Sequence, residues 1–209
     1  MKTAMASSEF IKIFSDCGGL LKGHFSLTSG RHSSIYLQCA LVLQYPDIAR
    51  RIGIQLSDLA RNAFTGAGQG EIDTVISPAV GGIVIGQEVA ANLGSRAIFC
   101  ERVDGRMELR RGFTIEEGER ILAVEDVVTT GGSIREAVDL ASQCGGVVVG
   151  TASIVHRYAE EPIDPTALPH LSLLPVHAPA FDPSECPMCR EGNPLEKPGS
   201  RHLSVPKAL

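Results

Sequence analysis

No run of apolar residues in this 209-residue chain reaches the about 18 that a membrane-spanning helix needs, so no span is expected. The opening segment MKTAMASSEF carries Lys2 but no apolar stretch behind it, so no secretory leader is expected and the cytoplasm is the expected location. Positive charge is scarce. Nineteen Lys+Arg against 24 Asp+Glu give a formal net charge of −5. That balance excludes non-specific nucleic-acid binding, which needs a basic face, but leaves room for a local basic site that takes a small anion. Lysine is missing altogether between residues 23 and 196. No GxxxxGK[ST] string is present, which argues against a P-loop kinase or ATPase, and no GxGxxG, which argues against a dinucleotide fold. Internal repeats and low-complexity tracts are absent too.

What remains is an ordinary globular composition, 44% hydrophobic and 21% charged. One domain over residues 1–209 is expected, with about 8–65 and 160–209 forming a peripheral hood and 72–158 the core. Residues 8–17 place Phe10, Ile11, Ile13, Phe14 and Cys17 on one helical face, and Gly18-Gly19 ends the run. Short strands flank a turn at Ser29-Gly30-Arg31. Pro46 then opens a helix whose stripe is Ile48, Ile52, Leu56, Leu59 and Ala63. From residue 72 short apolar runs alternate with helical patterns. Strands are expected at 74–76, 97–100, 121–124 and 147–155. Helices between them carry Ile83, Gly86, Ala90 and Leu93, and then Ile134, Ala137, Val138, Ala141 and Cys144. This is the pattern of an α/β fold with a mostly parallel sheet covered on both faces. Beyond residue 160 prolines crowd, and one strand near 171–176 is expected in an otherwise irregular tail.

The chemistry concentrates in ILAVEDVVTTGGS (121–133). A buried strand delivers Glu125 and Asp126 to the carboxyl edge of the sheet, where ligands of open parallel sheets bind. Thr129, Thr130, Gly131, Gly132 and Ser133 follow where a helix starts. Glycines let the backbone approach a ligand, hydroxyls add donors, and the helix N-terminus favours an anion. The bend suits a phosphate monoester and the carboxylates suit vicinal hydroxyls, so the pair together implies a ribose 5-phosphate.

VEDVVTTGGS resembles the phosphoribosyl diphosphate (PRPP) signature of the type I phosphoribosyltransferases. Within that family GHFSLTSGRHS (23–33), SPAVGG (77–82) and ASIVHR (152–157) are similar to segments of the orotate-using branch. The resemblance implies the type I phosphoribosyltransferase fold and transfer of ribose 5-phosphate from PRPP to orotate, giving orotidine 5′-phosphate and pyrophosphate. It implies that Glu125 and Asp126 hold the ribose hydroxyls. It implies that Val127, Val128 and Thr129 to Ser133 bind the 5-phosphate, and that Ala79, Val80 and Gly81 bind the diphosphate. Thr129, Arg157 and Arg31 would contact orotate, with Arg157 pairing with its carboxylate. Mg²⁺ is implied as cofactor, carried mainly by substrate oxygens. A homodimer is implied, in which loop 101–112 closes over the diphosphate of the neighbouring subunit. Its arginines stand where many relatives have lysines, so Arg102 and Arg106 are expected to act electrostatically on the leaving diphosphate; Arg110 and Arg111 fit an exposed hairpin strand equally well. Thr28 likewise stands where many relatives have a lysine. Two rivals are a transferase for another base and a non-catalytic PRPP sensor. The second would carry a DNA-binding module or basic patch, and neither is visible.

Cysteines 17, 39, 100 and 144 sit singly in apolar or small-residue stretches and are expected to be reduced and mostly buried. Cys186-Pro187-Met188-Cys189 supplies two of the four ligands of a structural zinc site, but no second CxxC exists and the nearest histidines are His177 and His202. A reduced turn, or a site completed across a dimer, are the competing readings. His24, His32 and His156 read as structural or surface histidines, and His156 and Arg157 should point to opposite faces of their strand.

Overall fold

Apolar spacing produces the first helix where it is expected. In this computed structural model, which describes residues 5–27, 29–66, 70–159 and 166–198, α1 (Ser7–Asp16) buries Phe10 and Phe14 while Ile11 faces outward. Burying each phenylalanine contributes about 2 kcal/mol. Strands β1 (Leu20–Ser26) and β2 (His32–Leu37) pair antiparallel around the turn, with Gly30 at φ 80°. Thr28 lies outside the described residues. A short helix, α2 (Ala40–Leu43), leads into α3 (Pro46–Phe64), with Pro46 at its first position.

The buried face of α3 is rotated from the expected stripe. Ile52 and Leu56 are inside with Ala49, Gly53, Ala60 and Phe64, whereas Leu59 and Ala63 are exposed. The cause is close helix approach. A Cβ on Gly53 would lie 2.5 Å from the Cβ of Glu88 in the next helix, so α3 turns its small residues inward.

Strand β3 (Thr74–Pro78) is buried throughout; α4 (Gly82–Leu93) follows and stops at left-handed Gly94, φ 78°. Then come β4 (Arg96–Val103), β5 (Arg106–Leu109), β6 (Arg120–Val128), α5 (Gly132–Gln143), β7 (Val147–Tyr158), β8 (His170–His177), β9 (Ala180–Phe181) and α6 (Pro187–Arg190). Strands β6 and β7 outlast their expected ends because they stay paired through Val128 and His156. Segment 101–112 contains a hairpin, turned by Asp104 and Gly105 in left-handed conformations (φ 48° and 83°), but its second strand ends at Leu109, so Arg110 and Arg111 lie beyond the strand expected over 107–111, in a turn where Arg111 has φ 60°.

Six strands form the main sheet in the order β5-β4-β3-β6-β7-β8, parallel except for β5. One apolar cluster packs α1, α3 and α4 on one face and another packs α5 on the other. Strands β1, β2 and β9 make a second, antiparallel sheet. Cys39 and Cys100 are buried and Cys17 half-buried, but Cys144 is exposed, since α5 ends at Gln143. No helix among the described residues is long and apolar enough to cross a membrane.

Candidate active site

The winding of the main sheet reverses between β3 and β6. From β3 the chain moves to β4 on one side; from β6 it moves to β7 and β8 on the other. Such a switch point opens a crevice at the carboxyl ends of the two strands. The loops that leave them there are SPAVGG and DVVTTGGS, the two segments singled out in the sequence.

The bend after β6 depends on Gly131, whose φ of 74° caps α5 in a conformation costly for a side chain with Cβ. It walls a cleft of about 190 Å³ with Arg102, Glu125, Thr129, Thr130 and Ser133. The Ser133 hydroxyl donates to Glu125. Burial, and then the charge of Asp126, nevertheless push the Glu125 carboxyl up to about 8. Asp126 alternates to the other side of β6 and sits against the SPAVGG loop. A Cβ on Gly81 would lie 2.6 Å from its Oδ1, so any larger residue there would have to displace the Asp126 carboxyl. Burial raises the Asp126 carboxyl as well. The Ala79–Val80 peptide is cis, the Ala79 amide donates to the Cys100 carbonyl at 2.8 Å, and Val80 is fully on the surface. Val127 lines the cleft, but Val128 is wholly buried against α5, because strand alternation turns it into the core.

A second cavity, of about 870 Å³, shares Val127, Thr129 and Thr130 with the first. Its far wall carries Arg31 and Arg157. Arg157 is only 8% exposed; its Nη2 donates to Ser33 Oγ at 2.9 Å, and its Nε has no partner among the described residues. Burial, and then the charge of Arg31, lower its pKa. Among the described residues no carboxylate forms an ion pair with either guanidinium. Asp182 feels the charge of Arg31 without bonding to it, so two neighbouring cations with no directly paired carboxylate make a receptor for a carboxylate or similar anion. His156 turns to the opposite face, its ring 4.9 Å from that of His170.

Arg102 reaches the first cleft while pairing with Glu136 at 2.9 Å. Arg106 is exposed on β5 and lines neither cavity, because the hairpin carries it outward. Arg111 pairs with Glu101 and lies over Phe99. Sequence reasoning passed over Ser33, Tyr36 and Tyr158. Strand alternation gave no signal for the tyrosines, since it sets Tyr158 on the face opposite Arg157, with His156; both nevertheless line the large cavity. The CPMC segment meets His24 and His32, distant in sequence. His177 instead bonds the Ala159 carbonyl, and His202 lies outside the described residues.

The family model described as phosphoribosyl transferase domain matches residues 44–166. An orotate phosphoribosyltransferase of Caldicellulosiruptor bescii is 49% identical over 197 residues, covering 94% of this chain and 99% of its own. One of Chlorobium phaeobacteroides is 46% identical over 201 residues, covering 96% and 100%. Among solved structures, the orotate phosphoribosyltransferase of Aeropyrum pernix superposes with TM-score 0.63 at 21% identity, covering 79% of this chain and 92% of that one. Leishmania donovani UMP synthase superposes with TM-score 0.66 at 20% identity, covering 83% and 37%. At those identities the superpositions speak to the fold.

Proposed function

This chain belongs to the orotate phosphoribosyltransferase family, and on that premise we propose how its two adjoining cavities divide the reaction. The enzyme transfers ribose 5-phosphate from PRPP to orotate, a step of pyrimidine biosynthesis. The observation that carries the division is the shared wall. Val127, Thr129 and Thr130 border both the small polar cleft and the large cavity with the guanidinium pair.

The 5-phosphate sits in the bend 129–133, held by backbone amides, hydroxyls and the α5 N-terminus. Glu125 and Asp126 take the ribose hydroxyls. The diphosphate lies along Ala79, Val80 and Gly81, the last of which packs against the Asp126 carboxyl. Orotate enters the larger cavity with its carboxylate on Arg157 and Arg31, and Thr129 lies at the junction. The orotate ring nitrogen gives up its proton, which the departing pyrophosphate takes, and forms a bond to ribose C1 as the bond from C1 to the diphosphate oxygen breaks. The electron pair leaves with pyrophosphate, and the sugar passes through an oxocarbenium-like state. Arg102, carried by the hairpin to the diphosphate of the neighbouring subunit, stabilises the departing charge there as a fixed cation; a guanidinium does not give up its proton near neutral pH. Arg106 acts on the same group only from a closed hairpin.

Mg²⁺ fits this arrangement. The buried carboxylates of Glu125 and Asp126 are hard oxygen donors, too few for a full shell, which suits an ion carried mainly by substrate. When bound, it neutralises diphosphate charge. The reading extends to a single functional unit, 1–209, with the small sheet and the 160–209 segment as a hood. It extends also to a homodimer whose hairpin 101–112 covers the partner's diphosphate, and to the cytoplasm, where the six unpaired cysteines stay reduced.

The test is turnover. Purified protein with PRPP and Mg²⁺ is expected to consume orotate, read by its absorbance, and release pyrophosphate in equal amount. Persistent orotate absorbance with PRPP bound would mean a sensor rather than a transferase.

A further inference from the structure

Outside the active site, four ligand-type side chains converge. His24 on β1, His32 at the start of β2, and Cys186 and Cys189 around α6 place one ligand atom each within 4.8 Å of all the others. His24 Nε2 lies 3.0 Å from His32 Nδ1, 3.5 Å from Cys186 Sγ and 3.6 Å from Cys189 Sγ; Cys189 Sγ lies 3.3 Å from His32 Nδ1. A tetrahedral zinc ion with Zn–N of ~2.0 Å and Zn–S of ~2.3 Å needs edges of about 3.3 Å between nitrogens and about 3.5 Å between nitrogen and sulfur. These four spacings match those edges to within a few tenths of an ångström, and the two pairs that remain, Cys186 with Cys189 and Cys186 with His32, stay within 4.8 Å.

The tautomer points the same way. His24 Nδ1 lies 3.0 Å from the Asn193 carbonyl, which can only accept, so Nδ1 carries the proton and the Nε2 lone pair faces the two sulfurs. A carbonyl that orients a histidine in this manner is the usual outer partner of a metal-bound imidazole. Three of the four ligands, His24, His32 and Cys186, are buried. With four protein ligands the shell is closed, which is the arrangement of a structural rather than a catalytic ion.

We propose that His24, His32, Cys186 and Cys189 form a structural zinc site that staples the C-terminal segment onto the β1–β2 hairpin. The staple is well placed to matter. His32 stands between Arg31, which lines the large cavity, and Ser33, which accepts from Arg157. Backbone bonds between His24, Ser26 and Glu196 close the same junction. The ion therefore fixes the hairpin from which the orotate side is built, and its binding displaces the thiol protons of Cys186 and Cys189.

Metal analysis of untagged protein from zinc-supplemented culture tests this independently of turnover. The expected result is about one zinc per chain, replaceable by Co²⁺ with the intense visible bands of tetrahedral thiolate coordination. Cys189→Ser, at the most exposed of the four positions, should lower zinc content by more than the ~10-fold that loss of an outer partner alone costs. Cys144→Ser, an exposed control elsewhere, should leave it unchanged. Wild-type protein with no zinc and no Co²⁺ spectrum would overturn the proposal. So would thiol mapping that finds a Cys186–Cys189 disulfide in the purified protein.

Discussion

Glu125 shows how one side chain trades stability for function. In the fold it keeps its proton up to about pH 8, chiefly because burial disfavours the charge, against an ordinary value of 4.5. A raised carboxyl pKa means the folded state binds the extra proton. Its contribution is whole below about pH 4.5 and is lost as pH climbs to about 8, a difference on the order of 5 kcal/mol. Glu125→Gln is neutral at every pH, so thermal melts should show stabilisation at about pH 9 and little change at about pH 5. The same variant should raise the KM for PRPP. Equal shifts in Tm at both pH values would show that Glu125 titrates normally. Arg157 carries the opposite charge under the same strain: burial and Arg31 disfavour its cation, and an arriving carboxylate relieves both.

At the scale of elements, the bend between β6 and α5 can be separated from the stability of the helix it caps. Gly132 opens α5, and a Cβ there would meet nothing within 4 Å. Alanine also favours a helix over glycine by up to about 1 kcal/mol. Gly132→Ala should leave Tm unchanged or raise it, while the added methyl at the cleft wall raises the KM for PRPP about tenfold, or ~1.4 kcal/mol. An unchanged KM would place the phosphate elsewhere. Much of this element was legible in advance, since ILAVEDVVTTGGS holds the apolar strand, the acidic pair and the glycine bend in consecutive positions. The rotation of α3 was not legible. Leu59 and Ala63 suit a helical stripe as well as Ala49 and Gly53 do, and only the approach of Glu88 selects the second face. The meeting of Cys186 with His24 was hidden for a similar reason. It spans 162 positions, and local periodicity says nothing about contacts at that separation.

For the whole molecule, reversal of winding between β3 and β6 sets everything else. It brings SPAVGG and DVVTTGGS to one crevice, and the antiparallel sheet with β7 supplies the cations that face it. The main sheet is therefore read as the PRPP half and the hood as the half that recognises the base. Recognition through Arg157 and Arg31 is the claim on which base choice depends. The direct test compares orotate with uracil, which lacks the carboxylate, as acceptors of the ribosyl phosphate of PRPP, in wild type and in Arg157→Ala. A desolvated charge pair is worth about 3 kcal/mol, roughly 100-fold. Wild type should favour orotate by at least that factor in kcat/KM, and Arg157→Ala should erase most of the preference by losing orotate activity while uracil activity barely moves. Equal use of the two bases by wild type, or a preference for orotate that survives Arg157→Ala in a folded protein, would contradict the account.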